Sequence, residues 1–316
     1  MEGHKIMVAF LAVLDKLFTL FLLLVVGYTA RKLNVVNDGF TDNVSSFLTK
    51  IVLPSLLIMS FQISFTPELL KQGFIVFFAC IAMHVFSMII GFITAKMFCI
   101  SYSAMGVWVF SCMFANIGFM GIPVISAVLG ESAVFYCAFA NFAFNVMAYT
   151  IGIFIISRYS DAKKAKIPLK KILFTPANLA IIVGIILFLT KITLPSSIGN
   201  TLDSIGSITT PLAMIYIGAV LTKNSIKEMF SDVRAYLVSF IRLVVIPIAS
   251  YFVLKFFISD KIILGVVVLG LATPIGTFCA IFSGEYGGDV LLSSKFIFVS
   301  TFLCMITMPF ISLLFI

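Results

Sequence analysis

Two short stretches of this sequence join residues that open a helix backbone to residues that can hold a small molecule. The first, Ser111–Ser126, carries Asn116, Gly118, Gly121 and Pro123. The second, Gly270–Phe278, carries Thr273, Pro274 and Gly276. Proline lacks an N–H and clashes with the turn before it, and glycine weakens a helix further. A break at each proline starts new half-helices near Val124 and Ile275. Their free N–H groups and positive dipole ends are anion sites, well suited to a carboxylate. The Asn116 amide can add a donor, and Gly118, Gly121 and Gly276 let a ligand approach the backbone. The competing reading is that both prolines only kink packed helices.

Other polar residues are few. Asn141 and Asn145 lie four apart on one helix face, and face either a substrate or a neighbouring helix. Lys50, His84, Arg242 and Lys295 lie within apolar stretches. Lys50 and Lys295 are near the ends and can snorkel to the interface. Arg242 sits deeper, either functional or paired with a backbone carbonyl. His84 reads as a proton carrier or as a packed, satisfied histidine. No carboxylate is central to an apolar stretch, since Glu131, Glu285 and Asp289 fall near ends. That disfavours carboxylate-based cation transport. With histidine only at positions 4 and 84 and no catalytic or metal-ligand constellation, no enzyme, metal site or cofactor is expected. Cys80, Cys99, Cys112, Cys137, Cys279 and Cys304 fall in apolar stretches without a C-x-x-C pair, and read as small buried hydrophobes.

The elements that position these residues follow from composition. Of 316 residues, 61% are hydrophobic and 11% charged, with mean hydropathy +1.19. Soluble domains run near 25% charged, so the chain is an all-α integral membrane protein embedded in a lipid bilayer. Apolar runs place spans near 13–32, 40–61, 72–98, 103–129, 132–157, 172–190, 202–222, 232–257, 262–283 and 290–315. An opened backbone inside hydrocarbon is tolerated only where protein or a water-filled cavity covers it. The net charge of +8 does not indicate nucleic acid, because the basic residues cluster between spans.

Orientation comes from those clusters. Alternate loops hold twelve Lys and Arg residues, six of them between Arg158 and Lys171, against six on the opposite side. The richer side is cytoplasmic by the positive-inside rule, which leaves both termini outside. Asp15-Lys16 interrupts the first apolar run and no small-residue cleavage site follows, so it reads as a retained span.

Residues 158–171 form a basic linker near the midpoint, dividing residues 1–157 from 172–316. Five spans on each side is an odd number, so any repeat must be inverted in the membrane. Lys50-Ile-Val-Leu-Pro54 is similar to Ser207-Ile-Thr-Thr-Pro211, and Pro123 in span four pairs with Pro274 in span nine. A 5+5 inverted repeat with two crossed, broken helices puts a site at the midplane.

Asn116-Ile-Gly-Phe-Met-Gly-Ile-Pro123, Thr273-Pro-Ile-Gly-Thr-Phe…Glu-Tyr286 and Leu53-Pro54-Ser-Leu-Leu resemble signatures of the auxin efflux carrier family. That family includes plant PIN-type auxin carriers and bacterial organic-acid transporters. The resemblance covers nearly the whole chain. It implies a scaffold domain of spans 1, 2, 6 and 7 and a transport domain of spans 3–5 and 8–10. It also implies elevator-like movement and a homodimer through the scaffold. By the same resemblance Asn116, Asn145 and Tyr149 line the substrate site. The chain departs from the plant carriers in its short central loop. Their carboxylate–lysine pair at the start of span three also has no counterpart, since Glu68 and Lys71 sit in a different context.

The expected function is a cell-membrane secondary transporter of small organic anions, mono- or dicarboxylates such as malonate or malate, or auxin-like acids. A sodium-coupled symporter resembling the bile-acid symporters, and a passive anion uniporter or channel, are the alternatives.

Overall fold

Helix starts are written into the sequence as capping residues. Asn37, Thr66, Thr175, Asp232, Asp260 and Asp289 each accept a backbone N–H of the first turn that follows. Pro67 and Pro176 occupy first-turn positions, where a missing N–H costs nothing. Asp232 also takes the Arg234 guanidinium at 2.7 Å, which holds its carboxyl below the usual carboxylate range.

The computed structural model describes residues 2–160, 174–222 and 226–315. Helix α1 is Glu2–Lys32. Helix α2 runs from Asp38–Phe47 through a widened turn, Leu48–Val52, into Leu53–Ser60. Helix α3 is Pro67–Met97. The fourth is divided into α4a, Tyr102–Met113, and α4b, Ile117–Leu129. Helix α5 is Ala133–Arg158 and α6 is Pro176–Thr190. The seventh bends at Ile208 between α7a, Ser196–Ser207, and α7b, Thr209–Val220. Helix α8 is Val233–Leu254. The ninth is divided into α9a, Lys261–Leu271, and α9b, Phe278–Tyr286. Helix α10 is Val290–Ser312. No strand occurs among the described residues beyond one isolated pairing, Ala115 with Ile275.

Five stretches, in α2, α3, α5, α8 and α10, are long and apolar enough to cross a bilayer as single helices. Shorter apolar helices make up much of the rest. With exposed Phe, Leu, Ile and Val spread over the outside, the chain is an all-helical membrane protein. The linker residues Lys163, Lys164, Lys166, Lys170 and Lys171, and Lys223, lie outside the described residues.

Two sets of contacts emerge. Helix α1 packs on α7b, and α2 packs on α6 and α7a. Separately, α3 packs on α4a and α5, α9a on α4b and α5, and α10 on α8 and α9b. Between the sets, α4b touches α1 and α7b, and α5 touches α2 and α6.

Four helices carry a widened turn with hydrogen bonds spanning five residues. Three of these turns run directly into an X-Pro pair: Leu53-Pro54, Ile122-Pro123 and Ile246-Pro247. A regular turn leaves no room for the proline ring beside the carbonyl four residues back. The extra residue in a widened turn supplies that room and keeps the helix going.

Five of the six cysteines are buried, as expected of small hydrophobes. Cys99 is the exception, exposed at a φ of 51° in the turn that leaves α3.

Candidate functional site

The widened turn before Pro123 moves the break in α4 away from where the proline alone would put it. Gly121 and Ile122 donate back to the carbonyls of Asn116 and Ile117, so the chain is helical through Pro123. The new half-helix starts at Ile117, with Asn116 as its N-cap, and not near Val124. In α9 there is no widened turn. Helix α9a ends at Leu271 with Ala272 as its C-cap, the Thr273 hydroxyl donates to the Gly270 carbonyl at 2.8 Å, and Pro274 lies in the unwound stretch. A residue before proline is pushed out of helical geometry, and helix resumes only at Phe278, three residues later than Ile275. Pro123 and Pro274 are therefore not structural equivalents. Ala115 and Ile275 are the residues that pair.

The two unwound stretches cross antiparallel and exchange hydrogen bonds. The Asn116 N–H donates to the Pro274 carbonyl at 2.7 Å, and the Gly276 N–H donates to the Phe114 carbonyl at 2.9 Å. The Ile275 N–H donates to Ser300 Oγ on α10 at 3.1 Å. Backbone groups opened inside a membrane protein are thus largely satisfied by one another. Gly276 lets the chains approach closely here, since a Cβ would stand 3.0 Å from the Ala115 carbonyl oxygen, a tight contact.

A cavity of about 360 Å³ lies against this crossover. Its wall includes Asn116, Ile117, Gly118 and Phe119 from α4b, Asn141, Phe144, Asn145 and Tyr149 from α5, and Gly276, Thr277 and Phe278 from α9. Ser45, Thr49 and Lys50 from α2, and Thr175 before α6, complete its polar lining. Among the described residues the wall contains no Asp or Glu.

This wall combines helix N–H donors with Ser, Thr and Asn side chains that both donate and accept. The first N–H groups of α4b, at Ile117, Gly118 and Phe119, have no carbonyl of their own helix to reach. The first turns close behind these groups, with Met120 and Gly121 donating to Asn116 in α4b and Cys279 and Ala280 donating to Gly276 and Thr277 in α9b. The Asn116 side chain makes no cap bond. Asn141 is 4% exposed, and its Nδ2 has no hydrogen-bond partner. Asn145 Nδ2 donates to Asn178 Oδ1 on α6 at 2.7 Å, so it lines the cavity and also ties α5 to α6. The Tyr149 ring rests edge-on against Phe278 and Phe282. Phe119, Phe144 and Phe278 make the remaining wall apolar and aromatic.

Of the residues singled out from sequence, Asn116, Gly118, Asn141, Asn145, Tyr149 and Gly276 come together on this wall. Gly121, Pro123, Thr273 and Pro274 sit behind it. A Cβ on Gly121 would meet Ile117 and Thr273, and the other three are buried or spent on backbone geometry. Arg242 and His84 are elsewhere. His84 Nδ1 bonds the Cys80 carbonyl at 2.6 Å, and its ring packs on Phe114. Arg242 Nη1 donates to the Cys112 carbonyl at 3.1 Å. Lys50 is the residue that hydropathy reading set aside as snorkelling, and it lines the cavity. Thr49, Thr175 and Thr277 were also missed. Each stands within one or two residues of a helix irregularity or start, which is the signal that marks them.

The chain belongs to the membrane transport protein family, whose match covers residues 12–312, in keeping with the resemblance to auxin efflux carriers. An uncharacterized transporter of Methanothermobacter thermautotrophicus is 25% identical over 305 residues, which is 95% of this chain and 97% of that protein. A second uncharacterized transporter, of Methanocaldococcus jannaschii, is 23% identical over 296 residues, 91% of this chain and 94% of its own. The similarity therefore runs end to end on both sides, and the chain is a multi-pass membrane transporter.

Proposed function

We propose that this transporter is a secondary carrier of small organic anions that holds its substrate at the α4–α9 crossover. The observation that carries the reading is the cavity wall. Among the described residues it offers the first turn of α4b, the unpartnered Asn141 Nδ2, the Asn116 side chain and Lys50, and it includes no Asp or Glu. A carboxylate docks at the N-terminus of α4b, where the dipole and the open N–H groups favour it. The aromatic wall of Phe119, Phe144, Tyr149 and Phe278 takes the apolar body of a mono- or dicarboxylate.

The carrier works by alternating access over ten spans arranged as a 5+5 inverted repeat. The scaffold is α1, α2, α6 and α7, and the transport domain is α3–α5 with α8–α10. The two sets of helix contacts support this division, and the cavity sits where they meet. A second cavity of about 380 Å³ supports an outer vestibule. It lies at the opposite ends of α2 and α5 and is lined by Ser60, Glu131 and Asp203. In this reading the linker 158–171 is cytoplasmic, both termini are outside, the membrane is the cell membrane, and copies pair through the scaffold.

The test is counterflow of labelled malonate, malate and indole-3-acetate in proteoliposomes, with and without a sodium gradient. Saturable exchange without sodium supports the carrier and ranks its substrates. Strictly sodium-dependent exchange makes it a symporter. Non-saturable flux makes it a channel. Exchange of none of the three counts against organic anions as the substrate class.

A further inference from the structure

Among the described residues, Arg242 is the largest fully buried polar side chain that the proposed site does not use. It is 0% exposed and sits in the widened turn Ile241–Val245 of α8, facing α4a and α10. Among the described residues it is the one buried side chain that carries a permanent charge. None of α4a, α8 and α10 contains an aspartate or glutamate, so no carboxylate faces it from the elements around it. A guanidinium taken out of water with no partner is strongly unfavourable. Its hydrogen bond goes to a main-chain carbonyl, that of Cys112. Nε and Nη2 have no partner at all.

The Cys112 carbonyl has a special position. It belongs to the last turn of α4a, whose carbonyls have no donor of their own helix to meet. That helix end carries the negative pole of the dipole. Phe114, two residues on, accepts the Gly276 N–H at the crossover. In broken-helix transporters such carbonyl ends, together with unwound backbone, are where a coupling cation is held.

We propose that Arg242 is a resident cation for the crossover, a positioning residue that neutralises the carbonyl end of α4a where an ion-coupled carrier would hold sodium. The inference rests on the carrier reading and deepens it. The fixed charge removes the need for a sodium ion at this end of α4a, so the crossover keeps its shape, and α4b its orientation toward substrate, in sodium-free medium.

The experiment compares wild type, Arg242→Gln and Arg242→Lys, each purified and reconstituted. It has two readouts: melting temperature in detergent and malonate counterflow, in sodium, potassium or choline chloride at equal ionic strength. Wild type is expected to melt and transport alike in all three salts. Arg242→Gln is expected to melt about 5 °C lower in choline, to lose about tenfold in counterflow, and to regain both selectively in sodium. Arg242→Lys, which keeps the charge, should stay close to wild type without sodium. A sodium-dependent wild-type melting temperature overturns the proposal. So does a folded Arg242→Gln that is either unimpaired in choline or impaired equally in all salts. If Arg242→Gln does not fold, Arg242→Lys decides: melting at the wild-type temperature in all three salts supports the proposal, and melting below wild type in choline overturns it. Absence of counterflow of malonate, malate and indole-3-acetate in the wild type counts against the carrier reading alone, because the melting arms need no substrate.

Discussion

Two helix crossings in this protein bring backbones into close contact by opposite means. Where α1 meets α7b, both hydrogen-bond ladders stay closed and glycines let them touch. A Cβ on Gly27 would stand 1.9 Å from the Ile215 carbonyl oxygen, and one on Gly218 would stand 1.9 Å from that of Leu24. Where α4 meets α9, the ladders are open and the chains trade N–H and carbonyl groups at 2.7 and 2.9 Å. Between helices in lipid there is no hydrophobic drive, so small residues and close packing hold the first crossing. That kind of contact asks only for shape and presents nothing to a ligand. The second crossing needs a partner for each opened group, and in return its helix ends present donors to a cavity.

The largest effect should come from filling the closed crossing. Gly218→Leu drives a side chain into backbone that cannot yield, at a cost of about 3 kcal/mol or more. A sharply lower melting temperature in detergent, or no folded protein, is the expected result. A folded, stable Gly218→Leu would show that α1 and α7b do not approach this closely. Next comes the open crossing. Gly276→Val meets the Ala115 carbonyl oxygen at 3.0 Å, a contact that can relax by small shifts, so the cost falls to about 1–3 kcal/mol. Transport should suffer more than stability, because those shifts move Asn116 and the start of α4b. Counterflow normalised to folded protein separates the two effects.

This contrast also explains what the sequence could reveal. Membrane residence, helix positions and the two interrupted segments were legible because they depend on composition and on proline and glycine chemistry. The location of the breaks was not. Proline chemistry says that a regular helix cannot pass Pro123 unstrained, but a five-residue turn lets it pass, and the break falls instead at Phe114–Asn116. That choice is made by tertiary pairing with Pro274 and Gly276, which local pattern does not contain. Lys50 shows the same limit. Its sequence position near a helix end suits snorkelling, and only the packing of α2 against α5 and α6 turns it onto the cavity wall. The bend at Ile208 splits what reads as one continuous apolar run.

The bond between Asn145 and Asn178 sharpens the comparison, since it joins the two sets of helices beside the cavity. Polar pairs between membrane helices average about 0.6 kcal/mol. A double-mutant cycle with Asn145→Ala and Asn178→Ala should return a coupling of that size in unfolding experiments. Added substrate should reduce the coupling if ligand competes for the Asn145 amide. A coupling indifferent to saturating substrate would leave Asn145 as helix–helix glue alone.

The smallest effect on stability is expected at Gly118, and it is the most direct test of the open end. A Cβ there meets only Asn141 Oδ1 at 3.7 Å and Leu53 Cδ2 at 3.8 Å, ordinary contact distances. Its backbone is helical, so Gly118→Ala should leave melting unchanged or raise it slightly, alanine being the better helix former by about 1 kcal/mol. The new methyl nevertheless stands on the cavity wall, over N–H groups that a carboxylate must approach to within hydrogen-bond distance. Half-saturation of counterflow should therefore rise about tenfold, equivalent to about 1.4 kcal/mol of binding. A variant that melts like the wild type and keeps its half-saturation would move the substrate away from the first turn of α4b. The Lys50 end of the cavity would then be the place to look.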